Sequence, residues 1–444
     1  MPCGRRSFVP FSATGGRGAL EGQPAPARRE TAMATKYIVI LGSLDTKGAE
    51  VEFLRQAVRA QGGEPWVVDT GVLGEPTAEA DVTRHQVAEA AGTTIQALID
   101  GRDKNRALLA MAKGATRIVL DLFQRGQLGG VLSIGGSRGT ALSTRVMQAL
   151  PVGVPKLMVS TMASGHNPFG PYVGTKDVTL MYSVADVLGV NSVTRPIFTN
   201  AAAAIVAMSR VGQPVQRTAK RTFTASMLGV STTLVGQIQE LVQADGDSEV
   251  IAFHAVGTGG RAMEELIAAG LVDGVFDVTT GEMTALVVGG DFSAGPDRMR
   301  AAGQRGIPQV VAPGGVDFII EGPLDRLPAK YQGRKVMVHT PTITLVRTSA
   351  EEMAAVGKLI AERLAEARGP AAAILPLQAF GWFAMEGQPL HDPESDRAFI
   401  QAFKAHVPPH VEVVELDTHL NDPQVGEVAV DLMRRMLHRR DRQT

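Results

Sequence analysis

The residues best placed to do chemistry lie in glycine-punctuated turns that leave apolar strands. In GGVLSIGGSRGTALSTRVMQAL (129–150), the run 131–134 reads as a buried strand. Gly135, Gly136 and Gly139 bend the chain, and 140–150 continues as a helix with Ala141, Leu142 and Val146 on one side. Such a turn aims several unpaired backbone N–H groups at one point, and the helix dipole adds positive charge there. An anion fits, most often a phosphate. Glycine removes the Cβ that would hold a ligand off, while Ser137 and Thr140 add hydroxyl donors and Arg138 a full charge. The plainer reading is an ordinary strand–helix turn; glycines and hydroxyls together favour phosphate.

Two further turns carry similar residues. In GSLDTKG (42–48), Asp45, Thr46 and Lys47 stand beside a predicted helix start, where a carboxylate, a hydroxyl and an ammonium can hold Mg2+ and phosphate oxygens. Helix capping alone would account for Asp45 or Thr46. It does not account for Lys47, whose charge is unfavourable in a first turn unless an anion is near. In GTGGR (257–261), Thr258, Gly259, Gly260 and Arg261 could take a second phosphate or carboxylate. Gly257, Gly259 and Ala262, followed by Asp277, also fit the dinucleotide pattern, although glycine is abundant enough here to make one match weak. None of the three turns is a Walker A loop. Lys47 and His254 are the candidate catalytic side chains, His254 with the competing reading of a hydrogen-bonded core residue. His166, Glu282, Asp291 and Asp317 lie on loops that could border a cleft.

These turns need strands and helices to hold them, and the sequence supplies both in alternation. Apolar strands are predicted at 37–41, 65–69, 131–134 and 156–160, then at 224–230, 249–256, 274–278, 309–312, 335–339, 372–377 and 411–416. Helical patterns fall between them, including 49–60, 103–123 (broken at Gly114), 177–188, 196–208, a helix capped by Ser231 and running to about 244, 282–290, and 349–368 opened by Ser349 and Glu352. The basic, proline-containing stretch 210–221 reads as a linker. The expectation is α/β: two Rossmann-like, doubly wound parallel-sheet domains, 35–212 and 213–439, with a cleft between them. Residues 1–34 lack apolar periodicity and read as a disordered extension.

Composition narrows the partners. With 44 basic and 45 acidic residues the net charge of -1 gives no sign of a nucleic-acid partner. A single cysteine, Cys3, leaves no disulfide framework and no cysteine-based zinc site. No apolar run reaches the ~18 residues of a membrane span, so a cytoplasmic protein with a small-molecule ligand is expected.

Read together and in order, GSLDTKG, SIGGSRGTA, STMASG, LMYSVADVLGVN, FHAVGTGGRAME and LVRTSAEE resemble the ATP-binding domain family of the tomato mosaic virus resistance protein, over roughly 36–422. The resemblance implies two Rossmann-like domains, ATP with magnesium on the first of them, and a homodimer. It carries the phosphate loop onto Gly135, Gly136, Ser137, Gly139 and Thr140. Arg138 stands where the family more often has a small residue. Asp45, Thr46 and Lys47 match the family's Asp-Thr-Lys after the first strand, and Thr258, Gly259, Gly260 and Arg261 match its second-domain glycine turn. A ligand is implied, but no reaction. The function could be that of an enzyme acting on or sensing a small acidic metabolite, of a non-catalytic ATP-dependent regulator with a protein partner, or of an NAD-type oxidoreductase.

Overall fold

The run YIVILG forms β1 (Tyr37–Gly42), and its side chains alternate between two cores: Val39 and Leu41 enter one, Ile38 and Ile40 the other. A strand covered on both faces must be apolar at every position, which is how it reads. In this computed structural model the described residues are 35–165, 169–290 and 292–442. The predicted extension 1–34 lies outside them, as do His166 and Asp291.

The chain continues through α1 (Leu44–Ala60), β2 (Glu64–Asp69), α2 (Arg84–Ala90), α3 (Ile95–Asp100), α4 (Lys104–Gln124), β3 (Leu128–Gly135), α5 (Ser137–Gln148), β4 (Lys156–Ser160), α6 (Gly170–Val173), β5 (Thr179–Tyr182) and α7 (Thr194–Val211). The five strands form one parallel sheet in the order β2-β1-β3-β4-β5. Residues of α1 and α7 cover one face, and residues of α2 to α5 the other.

Two expectations are corrected here. Gly114 does not break α4; the helix runs straight through it. The glycine lets α2 approach, because a Cβ there would lie 1.9 Å from the carbonyl oxygen of Val87. The stretch 177–188 is not a helix: residues 179–182 pair with β4 as a fifth strand and the rest is loop. Pairing on an existing sheet edge overrides the local pattern.

The second sheet is built from β6 (Arg221–Met227), α8 (Thr232–Gln243), β7 (Ser248–His254), α9 (Thr258–Ala268), β8 (Gly274–Thr279), α10 (Gly281–Val288), α11 (Ala301–Arg305) and β9 (Gln309–Gly314). Then come β10 (Phe318–Glu321), β11 (Val336–Thr340), β12 (Ile343–Arg347), α12 (Ala350–Ala365), β13 (Ala371–Pro376), α13 (Pro393–His406), β14 (Glu412–Leu416) and α14 (Pro423–Asp441). Six strands are parallel, in the order β14-β13-β9-β8-β6-β7. β10, β12 and β11 form a separate antiparallel sheet that the strand–helix alternation did not predict. The capping box between Ser349 and Glu352 opens α12 as read.

Counted within each half, both parallel sheets run 2-1-3-4-5, the second with a sixth strand beyond. Strand order therefore reverses between β1 and β3, and again between β6 and β8. Open α/β sheets bind ligands outside the carboxyl ends of their strands at such reversals.

Candidate functional site

At the first reversal the chain leaves β1 and β3 side by side and a cavity of about 280 Å3 opens between the two exits. One wall is Ser43 and the first turn of α1, with Asp45, Thr46 and Lys47; the other is the turn after β3, Gly135 through Gly139. Leu108, Met111, Ser133 and Leu142 line the depth, and Thr70, Val72 and Leu73 come from the loop after β2.

The turn after β3 is an uncapped helix start. Gly136 is the N-cap and no side chain satisfies the first turn of α5. The first amide to close onto a carbonyl is that of Thr140, which donates to Gly136 at 2.9 Å. Among the described residues the N–H groups of Ser137, Arg138 and Gly139 have no partner. They are the orphan donors that every helix start leaves, here bordering a cavity.

The predicted side chains divide around these amides. Ser137 is exposed and in the lining. Thr140 is not: its buried hydroxyl bonds the Gly136 carbonyl at 2.8 Å and the Ser160 hydroxyl at 2.6 Å, so it braces the turn from behind. Arg138 reaches along the rim to the carbonyl of Lys104 at 2.6 Å. In the opposite wall, Asp45 accepts the amides of Leu73 and Gly74 at 2.6 and 3.2 Å and the Thr46 hydroxyl at 3.3 Å, tying the loop after β2 to the cavity. Lys47 donates to the carbonyl of Val187 and lies 3.8 Å from Glu50. Asp69, at the end of β2, receives the amides of Leu44 and Gly71; burial raises its pKa against the lowering effect of those bonds.

The second glycine turn has a different occupant. The amides of Gly257 and Gly260 donate to the carboxylate of Glu282, at 2.6 and 3.1 Å. Glu282 is held in turn by the buried Arg298, whose Nε lies 2.6 Å from it. The chain's own carboxylate thus sits where a bound anion would. Thr258 and Gly259 stay half-exposed and Arg261 exposed. Arg261 lines a cleft of about 740 Å3 between the two domains, facing Lys176 and Gln148. Across that cleft Glu265 of α9 accepts from Thr175 at 2.7 Å and Lys176 at 2.6 Å.

Arg298 also takes both oxygens of Asp277, and Ser226 bonds the same carboxylate at 2.7 Å. That buried carboxylate is closed to a ribose, which removes the acid the dinucleotide pattern requires. Burial opposes the charge on Arg298, but Asp277, Glu282 and Glu264 outweigh it and hold its pKa above the ordinary arginine value. Glu282 and Asp317 are buried and do not border the cleft. His254 ends an edge strand, β7, and is exposed, so neither a core position nor the cavity claims it.

At the second reversal hydroxyls pair with one another between the strand ends. Ser231 precedes α8 but does not cap it; its hydroxyl meets that of Thr279 at 2.6 Å, and Thr279 also donates to the Ser226 carbonyl at 2.9 Å. Of two sheets with one strand order, the first carries a cavity of about 280 Å3 at its reversal, and the second a far smaller pocket lined by Leu228, Ala255, Gly281 and Gly315.

Two family models match the chain, those of the uncharacterised protein family UPF0261: its N-terminal domain over residues 36–214 and its C-terminal domain over 220–437. The chain is 40% identical over 404 residues to a UPF0261 protein of Clostridium tetani, covering 91% of this chain and 98% of that one. This chain belongs to UPF0261. A Rhizobium meliloti member is 39% identical over 398 residues, covering 89% of this chain and 98% of its own. The ToMV resistance protein Tm-1 of Solanum lycopersicum is 32% identical over 332 residues, covering 73% of this chain and 44% of its own. The resemblance read from the six motifs therefore holds as relatedness to that resistance protein over part of the chain.

Several site residues of this UPF0261 chain escaped the sequence reading. Ser133 had a usable signal, a hydroxyl inside an apolar strand; it donates to the Leu41 carbonyl at 2.9 Å and meets Ser143 at 2.8 Å. Arg298 had none, and Glu282 was read as a cleft carboxylate and not as the occupant of the second glycine turn, since their pairing depends on contacts between segments that no local pattern records. Among the described residues there is no group of three or more His, Cys, Asp or Glu able to hold a metal, and no helix long and apolar enough to cross a membrane.

Proposed function

We propose that the chain binds ATP together with Mg2+, with the phosphates on the turn 135–139. The observation that carries this reading is the set of unpaired amides of Ser137, Arg138 and Gly139, which start a 12-residue helix beside a cavity at a strand-order reversal. The cavity volume, just under the usual ~300 Å3 lower bound for small-molecule sites, suits a triphosphate better than a whole nucleotide. The nucleoside would then lie across the mouth, where Leu73, 72% exposed, offers an apolar surface.

Lys47 supplies a cation in the opposite wall. Magnesium is held in such sites by one or two carboxylates and by the phosphates themselves. Asp45 is the carboxylate of this cavity, and an ion arriving on the nucleotide needs no more from the protein. Thr140 serves the phosphates indirectly, by fixing the turn. A small acidic metabolite is proposed for the cleft between the domains, where it would meet Arg261 and Lys176. A regulator without turnover is the second reading, favoured by the exposed apolar side chains Tyr182, at the end of β5, and Val184 and Leu188 beyond it.

Calorimetry with ATP and Mg2+ tests the assignment on wild type and Gly136→Val. Position 136 has φ -81° and its nearest Cβ neighbour is 3.7 Å away, so valine is tolerated by the fold while crowding the amides. Binding by wild type and its loss in the variant are expected; equal affinity in both overturns the reading. Release of ADP in the same mixture, with and without small carboxylic acids, separates an enzyme from a regulator.

A further inference from the structure

Lys47 belongs to two structures at once. It lines the cavity, yet its ammonium donates to the carbonyl of Val187, 140 residues away in sequence. Its backbone is non-helical (φ -132°, ψ 21°) and kinks α1 at that point. The neighbouring Glu50, only 3% exposed, lies 3.8 Å from the Lys47 ammonium and accepts the amide of Gly189 at 2.8 Å. The start of α1 therefore grips the chain at Val187 and again at Gly189.

The gripped segment is not at ease. The Val187 side chain is buried in the core, but Val184 is 61% exposed and Leu188 76% exposed. Val184 also has φ 61°, a conformation that a β-branched residue adopts only under constraint. Apolar side chains left in water and a strained backbone together mark a segment with a second arrangement within reach.

We infer that Lys47 is a latch through which an occupied cavity loosens segment 183–193. This rests on the nucleotide reading above. A phosphate bears full negative charge and a carbonyl only a partial one, so the phosphate is the stronger partner for an ammonium. When phosphate fills the cavity, Lys47 turns to it and leaves the Val187 carbonyl. Glu50 loses its cation, and the strain at Val184 is no longer opposed from that side.

Hydrogen exchange of the full chain, read by mass spectrometry with calorimetry on the same sample, tests the latch. With saturating ATP and Mg2+, peptides spanning 183–193 should exchange roughly tenfold faster, the effect of losing one charge-assisted hydrogen bond. Lys47→Met should exchange at that faster rate without ATP and show no further change on adding it, whereas Lys47→Arg keeps the contact and the response. ATP binding with unchanged or slower exchange in this segment overturns the latch alone. Absence of any binding heat overturns the latch and the nucleotide reading together. If Lys47→Met fails to fold, the wild-type comparison with and without ATP decides by itself.

Discussion

Replacing Ser137 with proline removes one of the unpaired amides while leaving the helix what it needs. Ser137 is the first residue of α5, the position where proline is favoured because the missing N–H has no intrahelical partner. Gly136 before it is extended (φ -81°, ψ -160°), as a residue preceding proline must be. The Ser137 side chain is exposed, so stability should be unchanged or higher by up to about 1 kcal/mol through the stiffer unfolded chain. A hydrogen bond from that amide to a phosphate is worth about 1.5–3 kcal/mol. At about 1.4 kcal/mol per factor of ten, ATP should bind roughly 10- to 100-fold more weakly. Ser137→Ala, which removes only the hydroxyl, isolates the amide's share. Thermal melting and calorimetry on the three proteins give both quantities. A Ser137→Pro protein that melts like wild type and binds ATP with the same Kd refutes the reasoning.

Three other changes have expected outcomes. Gly114→Val must push α2 off α4, since the new Cβ starts 1.9 Å from the Val87 carbonyl oxygen; thermal melting should register a loss of about 1–3 kcal/mol. Arg298→Gln leaves Asp277 and Glu282 buried without their cation, and urea unfolding should show roughly 3–5 kcal/mol less stability. Asp396 has its pKa pushed up to about 7 by burial, with Arg347 opposing and Asp317 reinforcing the shift. Its raised pKa keeps the proton on in the fold where the unfolded chain has released it. The stabilisation is complete below about pH 4 and is lost as pH rises to about 7. Wild type should therefore lose stability across that window relative to Asp396→Asn; parallel pH profiles would contradict this.

The parallel strands were legible because burial on both faces makes them continuous apolar runs, as in 37–41 and 156–160. Gly114 misled because a glycine inside a helix looks like a break until the helix it admits is known. The strand at 179–182 exists because β4 offers it an edge, and no local pattern encodes that. The same division holds in the sites. The glycines, the lysine and the serine singled out in the sequence line the first cavity, since the turn and its orphan amides follow from local geometry. The second turn reads alike in sequence, yet Glu282, 22 residues beyond Gly260, already fills it. Thr140 and Ser137 are both hydroxyl residues of one turn, and only the packing of Ser160 against Thr140 tells which of them faces inward.

The most direct measurement is a crystal structure of the chain grown with Mg2+ and a non-hydrolysable ATP analogue. The account predicts phosphate oxygens within about 3 Å of the amide nitrogens of Ser137, Arg138 and Gly139. A nucleotide bound elsewhere, with those amides bare, contradicts it.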